Sequence, residues 1–214
     1  MNSGLALAAT LLLGYASGSL PFGLWLGRWL RGVDVRTLGS GNLGATNVYR
    51  SLGPGIGVAT LLLDIAKGAV PVWLLPHSAI GAAFPGGPEW CALAAAFAAV
   101  AGHVWTFLAG FKGGKGVATS AGVLLALSPA SFGVFAAVFV VTLLVTRFVS
   151  LGSILGAVAF AIALARFSPS GVASPSFAVG AVLATLVIVR HKDNIARLLR
   201  GEERRFSFTR EKKS

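Results

Sequence analysis

Residues 5–27 read LALAATLLLGYASGSLPFGLWLG, an apolar run without Lys, Arg, Asp or Glu and long enough to cross the hydrocarbon of a bilayer. No Lys or Arg precedes it, so the cationic start of a secretory signal is missing and the run is expected to be a retained first span. Its later half contains GSLPFG, Gly18 to Gly23. A proline at this depth frees a backbone carbonyl, which is tolerable only where the helix loosens against protein or near water.

Comparable runs follow at about Gly55–Leu75, Trp90–Gly110, Val117–Leu127, Ser131–Thr146, Leu151–Leu164 and Phe177–Val189. In 214 residues, 55% are hydrophobic and 12% charged, and the mean hydropathy is +0.79. That leaves too little polar surface for a soluble globule. Nothing between the runs is long enough for a soluble domain, so residues 1–214 are expected to form one integral membrane domain with a basic tail at 190–214. The expected fold class is an all-α polytopic membrane protein with seven transmembrane helices. Joining the short Val117–Leu127 run to the next as one helix bent at Pro129 would give six instead.

Charge decides between these counts. With seven crossings, Arg28, Arg31, Arg36, Arg50, Lys112, Lys115, Arg147 and every basic residue of the tail share one side; Lys67 lies within a span and only Arg166 lies opposite. With six, the tail moves to the side of the His77–Pro88 loop, which has no Lys or Arg. The N-terminus is therefore expected outside and the C-terminus in the cytoplasm. The net charge of +11 would suggest nucleic acid in a soluble protein, but its location at segment ends marks anionic lipid headgroups and topology. No nucleic-acid partner is expected. Cys91, the single cysteine, has no partner for an internal disulfide and reads as a packing residue.

Three polar segments would meet the cytoplasmic face. The first is Gly39–Arg50, GSGNLGATNVYR, in which glycines let backbone N–H groups approach, Ser40, Asn42, Thr46 and Asn47 can donate, and Arg50 supplies a bidentate charge. These are the ingredients of an oxyanion site; the plain alternative is a surface turn between two membrane helices. The second is FKGGKG, Phe111–Gly116, leading into a helix N-terminus. It is not a nucleotide-binding Walker sequence, because Gly116 rather than Ser or Thr follows Lys115. Lysines alone would serve topology, but Gly113 and Gly114 are not needed for that. The third is RHKDNIARLLRGEE from Arg190, where His191 and Asn194 can point together toward a ligand at the membrane surface. It also reads as an amphipathic juxtamembrane helix on anionic lipid.

Asp64 and Lys67, three residues apart within the second span, form either a functional intramembrane pair or a structural one. His103 lies one turn before the lysine loop, hydrogen-bonded to a neighbour or beside a substrate. No HxxxxD occurs, since the fifth residues after His77, His103 and His191 are Ala82, Leu108 and Ala196. HExxH, GxSxG and close groups of metal ligands are also missing, so neither a metal, a serine nucleophile nor a cofactor is expected.

GSLPFG, GSGNLGATNVYR, DIAKGAVPV, AGHVWTFLAGFKGGKGVAT and RHKDNIARLLRGEE, in this order and spacing, resemble the bacterial membrane-bound acyl-phosphate:glycerol-3-phosphate acyltransferase family, PlsY, over nearly the whole chain. The resemblance implies transfer of a fatty acyl group from acyl phosphate to the sn-1 hydroxyl of glycerol 3-phosphate, giving lysophosphatidic acid and phosphate without an acyl-enzyme. It implies that Ser40, Gly41, Asn42, Thr46, Asn47, Gly113 and Gly114 cradle the acyl-phosphate headgroup. Arg50, Lys115, His191 and Asn194 would hold the glycerol 3-phosphate, with Lys112 and His103 in or beside the site. Ser40, Asn42, Arg50, Lys115 and His191 are the implied catalytic set. A monomer in the bacterial inner membrane is expected, with acyl phosphate, glycerol 3-phosphate and membrane lipid as its partners. An anion or phosphate transporter is the rival reading, and would show inverted repeats and cations near mid-bilayer. A lipid-binding scaffold would need neither Ser40 nor Asn42.

Overall fold

The computed structural model describes residues 1–207; Arg210, Lys212 and Lys213 of the expected basic tail lie outside the described residues. Regular structure among the described residues is helical, and the chain divides into two compact units, Met1–Pro129 and Ala130–Ser214.

In the first unit the opening apolar run forms helix α1, Ser3–Ser19, and helix α2, Phe22–Arg31, separated at Leu20–Pro21. The break falls inside GSLPFG, where proline cannot donate. The helix runs past the expected end at Gly27 to Arg31 and stops where Gly32 takes a left-handed conformation (φ 64°), its N–H bonding the Arg28 carbonyl at 3.0 Å. Arg28 and Arg31 in the last turn complement the helix dipole. Helix α3, Ala45–Leu52, carries the end of the GSGNLGATNVYR stretch, and Pro54 starts α4, Pro54–Leu74. A short α5, Ala79–Ala83, precedes α6, Pro88–Val104, and the lysine loop leads into α7, Val117–Leu127.

Small residues decide how these helices cross. A side chain at Gly18 would collide with the Ala99 carbonyl, and one at Gly102 with the Tyr15 carbonyl, so α1 and α6 meet backbone to backbone. Gly68 against the Thr119 carbonyl and Gly122 against the Ile65 carbonyl do the same for α4 and α7. Lipid supplies no hydrophobic force between helices, and such close approach maximises packing and polar contact instead. Cys91 is buried on α6, its Sγ 3.4 Å from Thr10 Oγ1 of α1.

The second unit contains α8, Pro129–Thr146, which begins at the boundary, α9, Val149–Phe167, α10, Pro175–Arg190, and α11, Lys192–Leu199. Arg147 (φ 60°) makes the tight turn between α8 and α9. Ser174 caps α10 by accepting from the Phe177 N–H at 3.1 Å, with Pro175 at the first helical position. α10 and α11 are bent by 56° at His191.

Among the described residues, five helical segments are long and apolar enough to cross a membrane, Ser3–Arg31, Pro54–Leu74, Pro88–Ala109, Pro129–Thr146 and Val149–Phe167, or six if the bent α10–α11 pair is one span. α7 has 11 residues. It reaches about 16 Å at 1.5 Å per residue, roughly half a hydrocarbon core. The chain is thus a multi-pass, all-helical membrane protein.

Candidate active site

Asp34 begins the first polar segment. Its Oδ1 accepts from the Arg36 N–H at 3.0 Å and caps the 3₁₀ turn Val35–Thr37, while Oδ2 meets Arg36 Nη2 at 2.6 Å and Arg28 Nη2 at 2.8 Å. The Arg36 guanidinium, helped by Arg28, holds the Asp34 carboxyl well below the usual carboxylate range. One carboxylate between two arginines leaves this edge cationic.

The GSGN loop that follows is shaped from within by Asn47. Its amide, 5% exposed, donates toward the carbonyls of Val35 (3.3 Å), Leu38 (3.1 Å) and Asn42 (2.9 Å), and its Oδ1 accepts from the Ser40 N–H at 2.9 Å. Asn42 Oδ1 accepts from the Gly44 N–H at 2.8 Å, a side-chain turn just ahead of α3. Gly39 and Gly41 adopt φ of 59° and 69°. A side chain on Gly39 would run into Asn47 Oδ1. Ser40, Gly41 and Arg50 stay exposed, and Asn42 and Thr46 are half-buried. No side chain caps the start of α3. The loop therefore offers hydroxyl and backbone donors, the positive end of a helix dipole and a nearby guanidinium, which suits an oxyanion.

Leu43 and Val48 seat this loop in an apolar cluster with Leu24, Val35 and Ala109. Gly23, at the start of α2, lies so close to the Leu43 carbonyl that any side chain would overlap it. The position of α2 thus fixes the position of the GSGN loop.

The second polar segment is laid onto the end of α6. Gly113 N–H donates to the Val104 carbonyl at 3.1 Å and Gly114 N–H to the His103 carbonyl at 3.2 Å. Side chains at Gly113 and Gly114 would collide with the His103 carbonyl and with His103 Nε2. Lys112 is exposed, Lys115 half-buried, and Gly116 (φ 84°) starts α7 without a side-chain cap. His103 itself is buried, its Nδ1 3.0 Å from Thr119 Oγ1, so it supports the loop from beneath.

Under both loops lies the pair seen in the second span. Lys67 Nζ is 2.7 Å from Asp64 Oδ1, both side chains are 3% exposed, and the ammonium also donates to the Leu20 carbonyl at 2.7 Å. It lies 5.7 Å from the Phe22 ring centroid. His103 Nδ1 is 3.8 Å from the same Asp64 oxygen. Thr106 Oγ1 donates to the Ser19 carbonyl at 2.5 Å, and Tyr15 Oη to the Trp105 carbonyl at 2.5 Å.

In the second unit, His191 closes α10 and its Nδ1 is 2.7 Å from the Val187 carbonyl, which makes Nδ1 the donor and fixes the ring. Asn194, buried one turn on, donates from Nδ2 to Glu203 Oε1 at 2.7 Å. Glu203, 6% exposed at its side chain, also accepts from Ser150 Oγ and Arg197 Nε, each at 2.8 Å. Burial alone would raise its pKa, but hydrogen bonds from Asn194, Ser150 and Arg197 outweigh that and hold the carboxyl below the usual glutamate range. Phe206 N–H bonds the Arg147 carbonyl at 2.6 Å, so the strap after α11 folds back on the α8–α9 turn.

The polar loops are legible in the sequence, but the inward role of Asn47, expected there as a contact to the acyl-phosphate headgroup, is not. Glu203 carried one available signal, an acid inside a strongly basic tail. Thr106, Thr119 and Ser150 carried none, because an isolated hydroxyl in an apolar run ordinarily bonds its own helix. Among the described residues, no three His, Cys, Asp or Glu gather as a metal-ligand set.

A family model described as glycerol-3-phosphate acyltransferase matches residues 8–201. The chain is 48% identical over 194 residues to a glycerol-3-phosphate acyltransferase of Geobacter sulfurreducens, covering 90% of this chain and 93% of that one. It is 46% identical over 203 residues to the Myxococcus xanthus protein of the same name, covering 93% and 99%. Its fold matches the crystal structure of PlsY (YgiH), an integral membrane glycerol 3-phosphate acyltransferase, in the glycerol 3-phosphate form, with TM-score 0.82, 37% identity and coverage of 94% and 96%. The lysophosphatidic acid form of PlsY matches with TM-score 0.80.

Proposed function

Because the chain belongs to the glycerol-3-phosphate acyltransferase family, we propose that it transfers a fatty acyl group from acyl phosphate to the sn-1 hydroxyl of glycerol 3-phosphate, a step of phospholipid synthesis. The observation that carries this reading is the pairing, in one unit, of two glycine-bearing cationic loops at uncapped helix starts, Gly39–Arg50 and Phe111–Gly116. The reaction joins two anionic molecules, so binding and neutralising both phosphates is the main task of the protein.

In the proposed step the glycerol hydroxyl oxygen attacks the acyl carbon, and the bond from that carbon to the phosphate oxygen breaks. The hydroxyl proton passes to the departing phosphate, giving lysophosphatidic acid and phosphate. Acyl phosphate is a mixed anhydride with a good leaving group, so no acyl-enzyme is required. Ser40, Gly41, Asn42, Thr46, Gly113 and Gly114 are assigned to the acyl-phosphate headgroup, with Asn47 holding the loop that presents it. Arg50, Lys115, His191 and Asn194 are assigned to glycerol 3-phosphate, and Lys112, in the same loop as Lys115, is assigned to substrate binding with them. His103 supports Gly114 from below.

The proposed topology has seven crossings, with α7 as a short one, the N-terminus outside and the active face in the cytoplasm. The Lys and Arg distribution supports it. A monomer in the bacterial inner membrane completes the reading. The test supplies purified, lipid-reconstituted protein with acyl phosphate and glycerol 3-phosphate and follows both products. Equimolar phosphate and lysophosphatidate are expected. No transfer by folded protein refutes the acyl-phosphate reading, and phosphate uptake into vesicles without transfer would favour a transporter.

A further inference from the structure

A buried ion pair carries a large desolvation cost, and a helix bundle is often as stable or more so with apolar residues in its place. Asp64 and Lys67 must therefore be explained by what they hold. In a continuous helix the Leu20 carbonyl would accept from the Leu24 N–H, but that N–H bonds the Pro21 carbonyl at 2.9 Å. The Leu20 carbonyl accepts instead from the Phe22 N–H at 3.1 Å and from the Lys67 ammonium at 2.7 Å, and that ammonium is anchored in turn by Asp64 at 2.7 Å. Ser17 Oγ donates to the Lys67 carbonyl at 2.8 Å, so the same turn of α4 holds α1 on the near side of the break.

Two paths lead from this point to the two anion-holding loops. The first goes through Leu20 and the start of α2 to Gly23, which touches the Leu43 backbone of the GSGN loop. The second goes from Asp64 toward His103 Nδ1, 3.8 Å away, and from the far side of that ring to Gly114 of the lysine loop. A small cavity confirms the adjacency, since Leu43, Lys67, Asp64, His103 and Gly114 all line it.

We propose that Asp64 and Lys67 are positioning residues that set the separation of the GSGN and lysine loops, and hence of the two bound phosphates. The catalytic consequence rests on the acyltransferase reading; the positioning of the loops does not.

The test compares wild type with Asp64→Leu/Lys67→Met, a volume-conserving apolar replacement, as full chains in lipid nanodiscs. Nitroxide labels at Ser40→Cys and Lys112→Cys in a Cys91→Ser background report loop separation. A shifted or broadened distance is expected in the double variant, and an unchanged distribution overturns the proposal whatever the enzyme does. Wild-type transfer is measured first without labels, and its absence would defeat the acyltransferase reading alone. With wild type active and the double variant folded to a similar melting temperature, kcat should fall about 100-fold, the scale of a misplacement near 1 Å. A purely structural pair would leave kcat per folded molecule unchanged, and that result overturns the proposal. Should the double variant not fold, Lys67→Arg serves instead: it keeps the charge, and a displaced Leu20 contact should shift the label distance and lower kcat. Wild-type values of both would be refuting.

Discussion

Asn47 separates two accounts of the GSGN loop, as a ligand of substrate or as the pin that holds the loop. Asn47→Ala removes two N–H groups that serve three carbonyls and one oxygen that accepts from Ser40. Ser40 is exposed and Leu38 and Asn42 are half-buried, so water can replace those partners at modest cost, roughly 0.5–1 kcal/mol each. Val35 is fully buried, but its carbonyl keeps the Leu38 N–H at 3.2 Å, so losing the second bond costs about 0.5–1.5 kcal/mol. The total is about 3 kcal/mol. Asn47→Asp should be worse than Ala, because it turns carboxylate oxygen toward three carbonyls. The assay is thermal unfolding in detergent, paired with KM for both substrates. The pin account expects melting temperature to fall in the order Asn, Ala, Asp, with both KM values raised in the folded fraction. A substrate ligand instead predicts wild-type melting for both variants and a KM defect confined to acyl phosphate. That pattern would refute the reasoning.

If Arg50 and Lys115 make charge-assisted contacts to substrate phosphate, each change to Ala should cost about 2 kcal/mol of transition-state stabilisation, roughly 30-fold in kcat/KM. Unchanged kinetics would remove the residue from the site. Gly113→Ala should abolish transfer, because its methyl meets the His103 carbonyl, whereas Gly55→Ala, with open space around it, should leave activity and folding intact. The Glu203 carboxyl is held below its ordinary pKa, so its contribution to stability is complete above about pH 4.3 and is lost as pH falls through the lower folded value. Unfolding measured from pH 7 to 3 should therefore show an acid-dependent loss in wild type that is smaller in Glu203→Gln. Equal slopes would show that Asn194, Ser150 and Arg197 do not stabilise the carboxylate.

Hydropathy located the long spans to within a few residues, because a bilayer imposes a length on the sequence itself: Gly55–Leu75 was expected and Pro54–Leu74 is helical. Val117–Leu127 is helical over its expected bounds, and its 11 residues are about half of what a full crossing takes. The proline break was legible because Pro21 cannot donate. Its rescue was not, since the partner, Lys67, lies 47 residues away and nothing local marks the contact. Asn47 was similarly opaque. Its type suits a ligand, and only the fold of residues 35–42 around it reveals that its amide is turned inward.

These cases share a cause. Residues that touch ligand must be polar where the chain is exposed, so composition exposes them; residues that place them act across the bundle through backbone carbonyls, which have no sequence signature. The exception is a charged residue in an apolar span. Asp64 and Lys67 were conspicuous in the sequence because burial makes charge costly, and their roles stayed open because two neighbouring opposite charges can simply satisfy each other. The contact between Lys67 and the Leu20 carbonyl distinguishes these cases: a pair sufficient to itself would not need a third partner at the break between α1 and α2. That partner sits at the break whose position fixes α2, and through α2 the loop at Gly39–Arg50.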